Sequence, residues 1–233
     1  MQKYTAIILA SRDTNEFDRI YTLYTKEAGL VRVAGRGVRK PEAKLAGHLE
    51  PGTMAEIYVA RSKGMGQITG AITLESFEGI KKDFEKLSEF LKVAKFFLKN
   101  FAEGEKDEKI FELFDGFLKI FADKTDGADI ITEAFWWKLF DLLGHRPEMM
   151  KCVSCGKKLQ KGEENFWNVS ERGVVCEECA GNGKELPQIH ENEIKLVRLF
   201  LANSLGKILK VKSGKRELER LEEIRKEFNR YNF

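Results

Sequence analysis

Four cysteines constrain this chain more than any other feature. They stand as Cys152-x-x-Cys155 and Cys176-x-x-Cys179, with 20 residues between the pairs and no other cysteine in the sequence. Two C-x-x-C pairs at that distance gather four thiolates around one tetrahedral ion, and zinc is the ion that suits them. Four thiolates leave no position open for water or substrate, so the expectation is one structural Zn2+ held by Cys152, Cys155, Cys176 and Cys179. Gly156 follows the first pair, where a free backbone lets amides turn toward sulfur. Glu177 and Glu178 fill the second pair and add negative charge. The segment at about 150–182 must therefore close on itself as a separate element.

Other uses of these cysteines fit less well. Disulfides need an oxidising compartment. The apolar run near the N-terminus, from Tyr4 to Ala10, is too short for a secretory signal. No stretch reaches the ~18 apolar residues of a membrane span. A cytoplasmic protein with reduced, metal-bound thiols is expected. Redox cycling of a C-x-x-C wants a βαβ context that is missing here. A zinc deaminase needs H-x-E followed by P-C-x-x-C. His48-Leu49-Glu50 matches the first part, but Lys151 rather than proline precedes Cys152, and two cysteines would be left over. Three histidines at unrelated positions offer no nucleophile–base pair, and no phosphate-binding glycine loop occurs.

The pattern along the chain is α+β and multidomain. Short β-rich runs cover Tyr4–Ala10, Phe17–Thr25, Leu30–Ala34, Met54–Ala60 and Gln67–Leu74, separated by glycine, proline and charge. Five such strands suit a small closed barrel, which leaves no edge exposed. Helical periodicity begins near Phe77. Between Lys81 and Phe101 a stripe runs through Phe84, Leu87, Leu91, Ala94 and Leu98, widened by Phe90, Val93, Phe96 and Phe97. Further helices are expected over 107–122, 128–143, 190–205 and 214–230, with Gly144 and Pro147 ending the third helical run. Phe166, Trp167, Val169, Val174 and Val175 around Gly173 read as a hairpin inside the cysteine element. Domains are expected at 1–79 (barrel) and 80–233 (helical body with the insert).

The net charge of +3 is unevenly spread. Residues 31–70 hold 7 basic and 3 acidic side chains, whereas 80–150 hold 12 basic and 15 acidic. A basic turn stands out: Arg32, Arg36, Arg39, Lys40 and Lys44 around Gly35 and Gly37, with Arg61 and Lys63 beyond. Glycines let a partner approach the backbone, and guanidinium forks match phosphate oxygens. On a five-stranded barrel this describes an electropositive groove for single-stranded nucleic acid. A solvated hairpin loop is the plainer alternative. Tyr21, Tyr24 and Tyr58 are either stacking platforms or core. Phe96, Phe97, Phe111, Phe114, Phe117, Phe121, Trp136 and Trp137 are expected in the core.

These pieces resemble the RecO family of bacterial recombination mediators over nearly the whole length. Four segments carry the resemblance: Thr25-Lys26-Glu27-Ala28-Gly29; Ala34-Gly35-Arg36-Gly37-Val38-Arg39-Lys40; Gly47-His48-Leu49-Glu50-Pro51; and Phe140-Asp141-Leu142-Leu143-Gly144-His145-Arg146-Pro147 running into Cys152-Val153-Ser154-Cys155-Gly156. The resemblance implies an OB-fold N-domain, a helical body and a zinc element. It implies binding of single- and double-stranded DNA, annealing of complementary strands and a cytoplasmic, nucleoid-associated place of work. It also implies partnership with RecR and with the C-terminal tail of single-stranded DNA-binding protein, so that RecA loads indirectly. No catalytic residue comes with it.

The chain departs from the family pattern at Glu42 and Ala43, where the loop is often basic and then Ser, at Gly52, and at its last residues, Arg230-Tyr231-Asn232-Phe233. Modest DNA affinity is expected from these changes. A zinc-dependent nucleic-acid-modifying enzyme and an adaptor without direct DNA contact are the rival functions.

Overall fold

Strand β1 (Gln2–Asp13) is long enough to serve two sides of a barrel. Its first half pairs antiparallel with β4 (Met54–Ala60), and its second half with β2 (Arg19–Thr25). The register shifts between Ile8 and Ala10, a bulge that bends the strand where it changes partner. β2 pairs antiparallel with β3 (Gly29–Gly35), and β4 with β5 (Gly66–Glu75). A short parallel ladder between β3 and β5 closes the ring in the order β1-β2-β3-β5-β4. This is an OB-fold barrel. Alternate residues fill it: Tyr4, Ala6 and Ile8 from β1, Tyr21 and Leu23 from β2, Ala55, Ile57 and Val59 from β4.

The computed structural model describes residues 1–60, 64–123, 126–181 and 186–233, and its two compact units are Met1–Asp123 and Lys124–Phe233. The five strands expected from the sequence are present; β4 has the expected ends and the other four differ. β2 starts at Arg19, because Asn15 Oδ1 accepts the amides of Phe17 (3.0 Å) and Asp18 (2.8 Å) and folds 14–18 into a turn. Phe17 thus leaves the strand and stands 40% exposed on that turn.

The first unit continues with α1 (Glu78–Lys81), α2 (Phe84–Asn100) and α3 (Glu108–Asp123). Gly79 is needed where α1 meets α3, since a Cβ there would lie 2.1 Å from the Ala122 carbonyl oxygen. The Asp83 carboxylate accepts from the amides of Glu85 and Lys86 and caps α2. Of the stripe expected on α2, Ala94 is buried and Leu87 half-buried, but Phe84 (85% exposed), Leu91 (52%) and Leu98 (37%) face water. The buried face runs through Phe90, Val93, Ala94, Phe96 and Phe97. Aromatic packing decides the choice. Phe97 stacks on Phe101 (4.5 Å between centroids) and Phe114 (4.8 Å), and meets Tyr24 of β2 edge-on at 4.7 Å. Each such pair adds about 0.5–1.5 kcal/mol beyond the area it buries.

The second unit is built on α4 (Ala128–Leu142), which is buried along most of its length from Ile130 to Phe140. α6 (Glu191–Ala202), α7 (Leu205–Ile208) and α8 (Lys215–Asn232) pack against it. Between α4 and α6 lie the hairpin β6 (Asn165–Asn168) and β7 (Gly173–Cys176) and the one-turn helix α5 (Glu177–Ala180). Trp167 of the hairpin meets Trp137 of α4 at 6.1 Å and Phe228 of α8 at 5.8 Å. Glu133 and Arg225 form a buried ion pair across α4 and α8 at 2.8 Å.

Candidate metal centre and nucleic-acid interface

The four cysteines are brought together by two short elements. Residues 150–159 fold back on themselves, with Cys152 N–H donating to the Lys157 carbonyl (2.8 Å) and Leu159 N–H to Met150 (3.2 Å). Gly156 N–H donates to the Cys152 carbonyl (2.9 Å) and closes the turn that carries Cys155. Cys176 ends β7, and Cys179 lies one helical turn further on in α5. The two elements are joined by Val153 N–H to the Val174 carbonyl at 2.9 Å. Gly173 is required for this approach, because a Cβ would come within 2.4 Å of the Val153 side chain.

The geometry fits a tetrahedral ion. All four Sγ atoms lie within 4.8 Å of one another, and Cys155 Sγ is 3.9 Å from Cys176 Sγ. Zinc–sulfur bonds of about 2.3 Å put tetrahedral sulfurs about 3.8 Å apart. Burial opposes ionisation of Cys152, but amides of Cys176, Cys155 and Ser154 outweigh it and bring its pKa down to about 6. Hydrogen bonds with the Cys155 and Cys176 thiols, then burial, push Cys179 up to about 12. Cys152 is thus inclined to ionise, whereas Cys179 is inclined to keep its proton. A bound divalent ion supplies the charge that lets all four become thiolates.

The buried cluster around these sulfurs is small: Cys152, Val175, Cys176 and Ala180, edged by residues such as Leu159 and Phe166. With so little apolar burial around the sulfurs, a bound ion would add much to the stability of this element. His48 belongs to the first unit, where its Nδ1 lies 2.8 Å from Thr73 Oγ1, and among the described residues the sulfur cluster contains no histidine.

The basic turn follows β3 and is fastened to the β1–β2 turn. Gly37 N–H donates to Asp18 Oδ1 (2.7 Å), Arg39 N–H to the Phe17 carbonyl (3.0 Å) and Arg39 Nη1 to the Asn15 carbonyl (2.9 Å). Its cations fall into two groups. Arg39 also pairs with Asp13 (3.4 Å), and Arg32 with Glu103 (3.2 Å). Arg36, Lys40 and Lys44 are exposed and make no ion pair among the described residues. Lys40 Nζ lies 5.6 Å from the centre of the Phe17 ring. Arg61 and Lys63 lie outside the described residues.

Tyr21 and Tyr24 are buried, Tyr58 is half-buried and donates to Glu56, and the eight aromatic residues expected in the helical core are all buried. Phe17, rather than Tyr21 or Tyr24, is an accessible ring, and Lys40 lies beside it. The Asn15-x-x-Asp18 turn signature could have revealed it.

A closed barrel of this strand order places the chain among OB-fold proteins, here with helices and a four-thiol site of metal-binding geometry. Comparison with known proteins narrows this. Residues 1–77 match the model for the Recombination protein O N terminal domain, and 81–232 that for the C terminal domain. A DNA repair protein RecO from Dehalococcoides mccartyi is 30% identical over 220 residues, 94% of this chain and 86% of the relative. Those of Listeria monocytogenes (28% over 210 residues; 89% and 80%) and Pelotomaculum thermopropionicum (25% over 232 residues; 100% and 89%) are also similar. The chain belongs to the RecO family of DNA repair proteins. Among the described residues no helix is long and apolar enough to cross a membrane.

Proposed function

We propose that this protein is a non-enzymatic recombination mediator that binds single- and double-stranded DNA and anneals complementary strands. With RecR and the tail of single-stranded DNA-binding protein as partners, it helps RecA onto coated DNA. It works in the cytoplasm, associated with the nucleoid. The barrel, 1–79, takes the DNA; the helical body, 80–233, receives protein partners; one Zn2+ on the four cysteines staples that body.

The joined rim of the barrel carries this proposal. OB folds take nucleic acid at such loops. Here Arg36, Lys40 and Lys44 stand exposed, with Lys40 beside the exposed Phe17 ring. Cations neutralise phosphates while a ring stacks on bases. Neutralised strands repel each other less, which favours annealing. Arg39 and Arg32 are partly occupied by carboxylates, so they contribute less to capture.

The test is titration of a labelled single strand at several salt concentrations with the variant R36Q/K40Q/K44Q. Affinity should fall about tenfold or more, and the slope of log K against log salt should flatten by about 2, at about 0.7 per lost phosphate contact. Equal affinity and equal slope would remove this rim from the interface.

A further inference from the structure

Between Glu193 and Glu217 the chain carries seven Lys and Arg and no Asp or Glu, its longest stretch without an acidic residue. Two of the seven are occupied. Lys195 pairs with Glu191 at 2.6 Å, and Arg198 donates to the Met149 carbonyl. The remaining five, Lys207, Lys210, Lys212, Lys215 and Arg216, are all exposed. Only Lys215 has a carboxylate within reach, Glu219 at 3.9 Å. The other four make no ion pair among the described residues.

From this arrangement we infer that Lys207, Lys210, Lys212, Lys215 and Arg216 form a second nucleic-acid surface, on the second unit, for the phosphate backbone of duplex DNA. The inference rests on the DNA-binding function proposed above, and it adds a site and a preferred form of DNA.

Apolar anchoring fixes how these cations are presented. Leu205 and Ile208 are buried, and Leu209 is half-buried. Lys210 N–H donates to the Lys207 carbonyl (3.2 Å) and Val211 N–H to Ile208 (2.9 Å), so the backbone stays ordered past α7. Glu217 accepts from Gly214 N–H at 2.8 Å and starts α8. Lys215 and Arg216 then occupy the first turn of an 18-residue helix, whose positive end adds to their charge.

Where carboxylates stand nearby, lysines pair with them: Lys92, Lys119 and Lys226 each meet one a turn away on the same helix, a partner that the acid-free stretch does not offer. Five cations in ten residues repel one another, and a polyanion relieves that repulsion. Base stacking plays no part in this segment, because no aromatic residue occurs between Phe200 and Phe228, both fully buried. A surface that offers charge without rings reads backbone rather than bases, and duplex DNA presents backbone at higher charge density than a single strand.

The experiment compares the full chain with K207Q/K210Q/K212Q/R216Q on a labelled duplex and on a single strand of the same length. Duplex affinity should fall at least about tenfold and its salt slope flatten by about 3–4, at about 0.9 per phosphate contact. Single-strand affinity should change less than about threefold. Replacing the three lysines with arginine should preserve duplex binding, which separates loss of charge from loss of fold. The rim variant R36Q/K40Q/K44Q should show the reverse preference. Unchanged duplex affinity and slope in the glutamine variant would overturn the second surface while leaving the rim intact. Failure of the parent protein to bind either DNA would overturn the proposed function and this inference together.

Discussion

The rim loop at 36–44 and the segment at 207–216 are both basic, but they hold their charges in different ways. In the loop, carboxylates add to the buried Val38 as fastenings: Asp18 receives the Gly37 amide, and Asp13 receives Arg39. In the later segment, buried Leu205 and Ile208 do the fastening, and the cations are left for solvent or a ligand. A count of basic residues therefore does not tell which cations are free. The same division separates the two units. The first closes a barrel over an apolar core and extends it with stacked phenylalanines. The second includes an element whose own core is two cysteines and two small apolar residues.

Metal removal should separate the two surfaces most strongly. Cys176→Ser leaves three thiolates and should cost the second unit about 4 kcal/mol or more. All three tryptophans, Trp136, Trp137 and Trp167, lie in that unit, so their fluorescence reports its unfolding alone. Metal analysis should give about one zinc per parent chain and markedly less in the variant. At a temperature between the two melting points, single-strand binding should persist and duplex binding should be lost. Full loss of metal with an unchanged tryptophan midpoint would contradict a structural role for the site.

Phe97→Ala makes the opposite cut. It deletes a fully buried ring that touches Tyr24, Phe101 and Phe114, and should destabilise the first unit by about 3–5 kcal/mol. Tyrosine signals from the barrel should shift while the tryptophan midpoint stays in place. Coincident loss of both signals would show that the units unfold together, and the contrast between them would then have no thermodynamic meaning.

What the sequence made legible follows from how local each signal is. The cysteine spacing foretold which four thiols gather, because knuckles of two residues bring their sulfurs together whatever surrounds them. Five strands and their order of appearance were readable from alternation and breakers. The buried apolar residues of α2 were among those expected, but the exposure of Phe84, Leu91 and Leu98 was not, because they make as regular a stripe as Phe90 and Phe97 do. Only the partners Tyr24 and Phe114, distant in sequence, choose between them. The division of cations into fastened and free was hidden for the same reason, since Arg39 finds Asp13 across 26 residues. The acid-free stretch before Glu217 needed no structure to be seen; its significance lay in the exposure and missing ion pairs of its side chains.

The smallest effect tests the fastening itself. Hydrogen bonds from the Asn15 side chain and then the Gly37 amide hold the Asp18 carboxyl below its ordinary value of 3.8, with Arg36 and Lys40 adding to the shift. A lowered folded value means that this fastening is present above 3.8 and is lost as pH falls through the lower value. Near neutral pH the carboxylate is charged and partly cancels Arg36 and Lys40. Asp18→Asn keeps an oxygen for the Gly37 amide and removes that charge. Single-strand affinity should rise about twofold at low salt, with a change in melting temperature of less than about 2 °C, and duplex binding through 207–216 should not move. Weaker single-strand binding would mean that the charge on Asp18 matters more for shaping the rim than for opposing the ligand. The loop would then be the more delicate surface of the two, and the segment at 207–216 the more robust one.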